Sequence, residues 1–101
     1  MTTKFVSKED AIRFMATVGN FKAEKVKEEP ELKILGMEML LLTSETTPEE
    51  DKEEIRSHIS SQEGFSATNS RGEEILFVVS PFRDGWDCWV IDPLSGYSIR
   101  I

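Results

Sequence analysis

The chain has 101 residues, 39% apolar and 31% charged, with a net charge of −7; that suits a single folded domain over 1–101, not a disordered tail. The acidity argues against direct binding of nucleic acid, because neutralising phosphates takes clustered Lys and Arg. The lone cysteine excludes an intramolecular disulfide and a multi-cysteine zinc site. With no apolar run of about 18 residues and no basic-then-apolar leader, a cytoplasmic protein without membrane contact is expected.

Thr3 to Val6 reads as the start of a short strand. Ser7-Lys8-Glu9-Asp10 then resembles a capping box, with the Ser7 hydroxyl placed for an amide three residues on. A helix over Lys8–Val18 should follow, with Ala11, Ile12, Met15 and Val18 on one face and Gly19-Asn20 as its stop. Phe21 to Glu29 alternates imperfectly among dense charges and reads as an exposed strand ending at Pro30. Leu32 to Thr43 fits either period: Leu32, Leu35, Met39 and Leu42 are helical in spacing, while Met37, Met39 and Leu41 alternate. We read it as a strand turned back by Pro30, because Gly36 in mid-run is costly in a helix. If it is helical, three helices would cover a smaller sheet.

Thr47-Pro48-Glu49-Glu50 signals a helix start, with Thr47 as cap and the acids favourable to the helix dipole. The helix, Pro48–Gln62, offers only Ile55 and Ile59 for packing and should be peripheral. Phe65 to Thr68 reads as a short strand and Asn69-Ser70-Arg71-Gly72 as a turn. Beyond it, Ile75–Val79, Trp86–Ile91 and Tyr97–Ile101 form three strand-prone runs split by Pro, Asp and Gly clusters, the pattern of a β-meander. Trp86, Cys88 and Val90 fall on one face of the middle run and Trp89 and Ile91 on the other, which suits a strand covered on both sides. Asp92-Pro93-Leu94-Ser95-Gly96 is a hairpin turn. The fold class is therefore α+β: a mostly antiparallel sheet with a C-terminal β-meander, one main amphipathic helix and one peripheral helix.

Little in the chain carries catalytic chemistry. His58 is the only histidine and Cys88 the only thiol. A thiol on an apolar strand face is ordinarily inert, and a histidine on the flank of a peripheral helix is ordinarily a surface residue. No carboxylate spacing, calcium loop or glycine-rich phosphate loop is present, so no catalytic residue, cofactor or metal is expected. Arg83-Asp84-Gly85 matches an integrin-binding tripeptide but reads as a turn between strands.

Trp-Val-Ile-Asp-Pro-Leu-Ser-Gly, residues 89–96, resembles the closing hairpin of small immunity-type proteins and of PepSY-type modules. The inserted second helix departs from the PepSY pattern, and no family is assigned. The expectation for function is a small acidic non-enzymatic binding or regulatory module acting through protein contacts. The alternative is an inhibitor or immunity-type protein whose acidic face blocks a basic nucleic-acid-binding site on a target enzyme. The expected binding residues are Phe82, Arg83 and Asp84 in a six-residue connection, with Trp86, Tyr97 and Arg100 beside it. Aromatic residues and Arg are the types enriched at binding hot spots.

Overall fold

The computed structural model describes residues 5–82, 84–92 and 94–101, apart from the side chains at 36, 37 and 82. Its elements are α1 (Lys8–Thr17), β1 (Ala23–Glu28), α2 (Gly36–Thr43), α3 (Glu49–Ser61), β2 (Glu63–Asn69), β3 (Glu74–Phe82), β4 (Gly85–Ile91) and β5 (Ser98–Arg100). The five strands form one sheet in the order β1-β2-β3-β4-β5, antiparallel throughout. The expected α+β class and C-terminal meander are both present. Among the described residues no helix is long and apolar enough to cross a membrane.

α1 begins where expected, the Asp10 amide donating to the Ser7 hydroxyl at 3.1 Å. Its Ala11 and Met15 are buried against one face of the sheet, among Phe65, Ala67, Phe77, Val79 and Cys88. The registers Phe65↔Phe77, Val79↔Cys88 and Phe77↔Val90 put these strand residues on a single face, as period-2 alternation requires. Phe5 joins them. It exchanges backbone hydrogen bonds with Trp86 at 2.9 Å, beside the stretch of β4 that β5 does not reach. Thr3 and Lys4, part of the strand expected there, lie outside the described residues.

Leu32–Thr43 is not a strand. Residues 32–35 cross the sheet as irregular chain and α2 follows. Gly36 stands at the first helical position instead of the interior, where its cost would be paid, and the run Met-Glu-Met-Leu-Leu-Leu is rich in helix formers. β1 pairs with β2 and forms an edge of the sheet, and the run crosses the sheet instead of adding to that open edge. Among the described residues there are thus three helices, one more than expected, and five strands. Gly64 allows the crossing: a Cβ there would lie 2.5 Å from the Leu32 Cβ and 2.6 Å from the Glu29 carbonyl oxygen.

α3 starts one residue later than expected, with Pro48 rather than Thr47 in the capping position and no side-chain cap. None of its residues is fully buried, in keeping with a peripheral helix.

The β3–β4 connection also differs from expectation. Phe82 pairs with Gly85, so the turn is two residues long and Ser80, Pro81 and Phe82 belong to β3. Pro81 fits there because Trp86, across from it, turns its amide and carbonyl toward Phe5; the absent N–H of Pro81 would face β2, whose pairing with β3 has already ended at Glu63↔Val79. The turn after β4 is as expected. The Asp92 carboxylate accepts from the Leu94 amide at 3.0 Å and the Ser95 hydroxyl at 2.8 Å, and Gly96 takes a positive φ of 77°. Pro93 lies outside the described residues.

Candidate functional site

The second face of the sheet carries Ser66, Leu76, Val78, Ser80, Asp87, Trp89, Ile91, Ser98 and Arg100, again by register. Its cover is thinner than α1. Residues 32–35 cross it, and α2 packs on α3 rather than filling the space over β4 and β5. The crossing segment is held by the buried Gln62 side chain, which accepts from the Ile34 amide at 2.7 Å and donates to the Ile34 carbonyl at 3.1 Å, much as a neighbouring strand would. Lys33 Nζ donates to the Gln62 carbonyl.

Between this segment and the sheet lies an open groove of about 720 Å³, within the range of ligand and peptide pockets. One wall is Leu32, Lys33, Ile34, Leu35 and Glu38; the other is Trp89, Ile91, Tyr97 and Ser98. A smaller cavity of about 200 Å³ adjoins it, sharing Ile34, Glu38 and Trp89 and extending to His58, Ser80, Asp87 and Arg100. The groove therefore has an apolar body and a polar inner end.

At that inner end the buried Asp87 carboxylate meets Arg100 Nη2, with both oxygens at 3.1 Å. Ser80 Oγ lies 3.5 Å from His58 Nε2, the outer limit of a hydrogen bond. Serine, histidine and aspartate thus share one cavity, but not in the order a nucleophile relay needs. In such a relay the carboxylate orients the histidine, whereas Asp87 is directed at Arg100 from the strand position opposite Ser80. The other nucleophile considered, Cys88, is fully buried on the α1 face; burial, and then the Asp87 charge, push its thiol up to about 12. It stays protonated at neutral pH. Among the described residues no three metal-capable side chains converge.

The structure divides the expected binding residues between two faces. Trp86 is half-buried against the α1 core. Tyr97 is exposed at the mouth of the groove and Arg100 lies in its polar end, on the other side of the sheet. Asp84 is exposed between β3 and β4, Phe82 ends β3, and Arg83 lies outside the described residues. Sequence reasoning missed Trp89, Ile34 and Glu38 as neighbours. Only the alternation in β4 bore on them, by placing Trp89 opposite Trp86.

Apolar surface continues from the groove along α2. Leu35 is exposed at the mouth, and Met39, Leu40 and Leu41 are exposed beyond it, Leu40 at 64%. A helix apolar on all sides is normally buried. Charge is concentrated in the same stretch: residues 28–54 hold ten acids against Lys33 and Lys52, a net −8, while the other nine acids and ten bases leave +1.

No family model, curated protein or solved structure matches this chain.

Proposed function

We propose that the protein is a non-enzymatic binding module acting through protein contacts, and that its contact surface is the groove with the exposed side of α2. The observation that carries this reading is the exposure of Met39, Leu40 and Leu41 on a short apolar helix at the mouth of a preformed groove. Exposed contiguous apolar surface rimmed by polar residues is characteristic of interaction sites. A second reading, an inhibitor whose acidic surface blocks a basic nucleic-acid-binding site on a target enzyme, draws support from the net −8 of residues 28–54.

The test is parallel capture from the native host with the wild-type chain, Leu40→Asp and Arg83→Ala as baits. A partner retained by the wild type and Arg83→Ala but lost with Leu40→Asp supports the groove. The reverse pattern moves the site to the β3–β4 turn. A nuclease or other nucleic-acid enzyme among groove-dependent partners selects the inhibitor reading.

A further inference from the structure

Glu38 stands where the two cavities join, half-buried in the first turn of α2, with Trp89 on the facing wall of both. Among the described residues its carboxylate makes no ion pair or hydrogen bond. A carboxylate without an ion pair, across a mostly apolar groove from an indole, matches a cationic side chain, which gains from the opposite charge and from the ring together; Lys33, on the same wall, is engaged by the Gln62 carbonyl. The surroundings extend this match. Leu35, Met39 and Leu40 present exposed apolar surface, the Met of a sort that accommodates varied side chains, and α3, which packs on α2, begins with Glu49, Glu50 and Asp51. Residues 28–54 thus combine exposed apolar side chains with a net charge of −8, while the rest of the chain is close to neutral.

We infer that the occupant of the groove is a Lys/Arg-rich amphipathic segment of another protein, which lays its apolar side against Leu35, Met39 and Leu40 and inserts one basic side chain between Glu38 and Trp89. This rests on the reading of the groove as a protein-contact surface and names the chemistry of its partner. Charge complementarity sets the rate and the choice of partner, and apolar burial supplies the holding contacts. Association between two copies is disfavoured by the same charge, since each would bring an acidic surface to the other.

The probes are two synthetic helical peptides of about five turns, one with Leu and Lys at amphipathic spacing and one with Glu in place of every Lys. Binding to the full chain is read by calorimetry and by Trp fluorescence. The Leu/Lys peptide should bind the wild-type chain and weaken as salt rises from about 0.05 to 0.5 M. Glu38→Gln should weaken it about tenfold. Leu40→Asp makes the surface more acidic yet should abolish specific binding, which separates apolar docking from nonspecific attraction between opposite charges. Leu40 is exposed, so that variant is expected to fold, with far-UV circular dichroism as the check.

If the Leu/Glu peptide binds as tightly as the Leu/Lys peptide, the charge inference is wrong and the groove reading stands. If Leu40→Asp binds the Leu/Lys peptide as well as the wild type does, both fail. A wild-type dimer that Leu40→Asp converts to monomer in sedimentation would make the occupant a second copy and overturn the inference.

Discussion

The two faces of the sheet are built from the same strands and differ in how they are covered. On one, α1 places Ala11 and Met15 into contact with Phe77, Val79 and Cys88, and every one of these side chains is buried. On the other, Trp89 and Ile91 face a groove, and the helices above them bury none of the α3 side chains completely. Strand composition alone does not set this difference, because β4 presents a Trp to each side. The helices do. α1 has a compact apolar stripe and docks directly, whereas α2, apolar apart from Glu38 and Thr43, leans on a charged helix with two isoleucines. The larger buried cluster is therefore on the α1 face, while the second face buries Val78 but leaves a groove open over Trp89 and Ile91.

Truncations on the two faces should break or confirm that contrast most directly. Met15→Ala opens a cavity in the filled face and should cost about 2–5 kcal/mol. Ile55→Ala, at a half-buried position on the largely exposed α3, should cost about 1 kcal/mol. Urea unfolding with unchanged m-values measures both. Equal costs would mean that the second face is packed as firmly as the first.

Gly64→Ala sharpens the comparison by acting only on the second face. Its new Cβ meets backbone at Glu29 and the Leu32 Cβ, neither of which can rotate away, so the crossing segment must shift. Overpacking of this kind costs about 1–3 kcal/mol. Hydrogen exchange should quicken at residues 29–35 and α2 while the amides of α1 stay protected. Uniform loss of protection across both faces would show that the crossing segment is integral to the main core.

The filled face was largely legible in the sequence because its signals are local. Ser7 with Asp10 marks the start of α1, the spacing of Ala11 and Met15 marks its buried side, and Asp92 with Gly96 marks the last hairpin. The second face was not, because its determinants are tertiary. Leu32–Thr43 satisfies both periods, and what directs it away from the open edge of β1 is tertiary: the buried Gln62 side chain holds Ile34 in a segment that crosses the sheet. Pro81 suggested a broken strand, and only the early end of the β2–β3 pairing removes the objection. The groove unites residues about 50 apart in the chain, such as Ile34 with Trp89, at no recognisable spacing. Tyr97 and Arg100 were picked out by residue type and do lie along it; Trp86, chosen by the same rule, faces the α1 core.

The smallest effect concerns the turn that sets the outer wall of the groove. Asp92 is held below its ordinary carboxyl value of 3.8, chiefly by the Leu94 amide and then by the Ser95 hydroxyl. Because the folded turn favours the ionised form, the unfolded turn binds the proton more readily. The stabilisation is therefore complete above the unfolded pKa and is lost as pH falls through the lower folded value. The turn delivers Tyr97 and Ser98 to the groove through the Asp92 amide bond to the Tyr97 carbonyl at 2.8 Å. Acidification should consequently loosen this wall before the α1 core. In an NMR titration from about pH 6 to pH 2 the Leu94 and Gly96 amides should move together, following a single protonation below the ordinary aspartate range. Asp92→Asn should remove that transition while leaving the α1 amides unchanged. A Leu94 amide that ignores pH in the native chain would show that the carboxylate does not hold the turn.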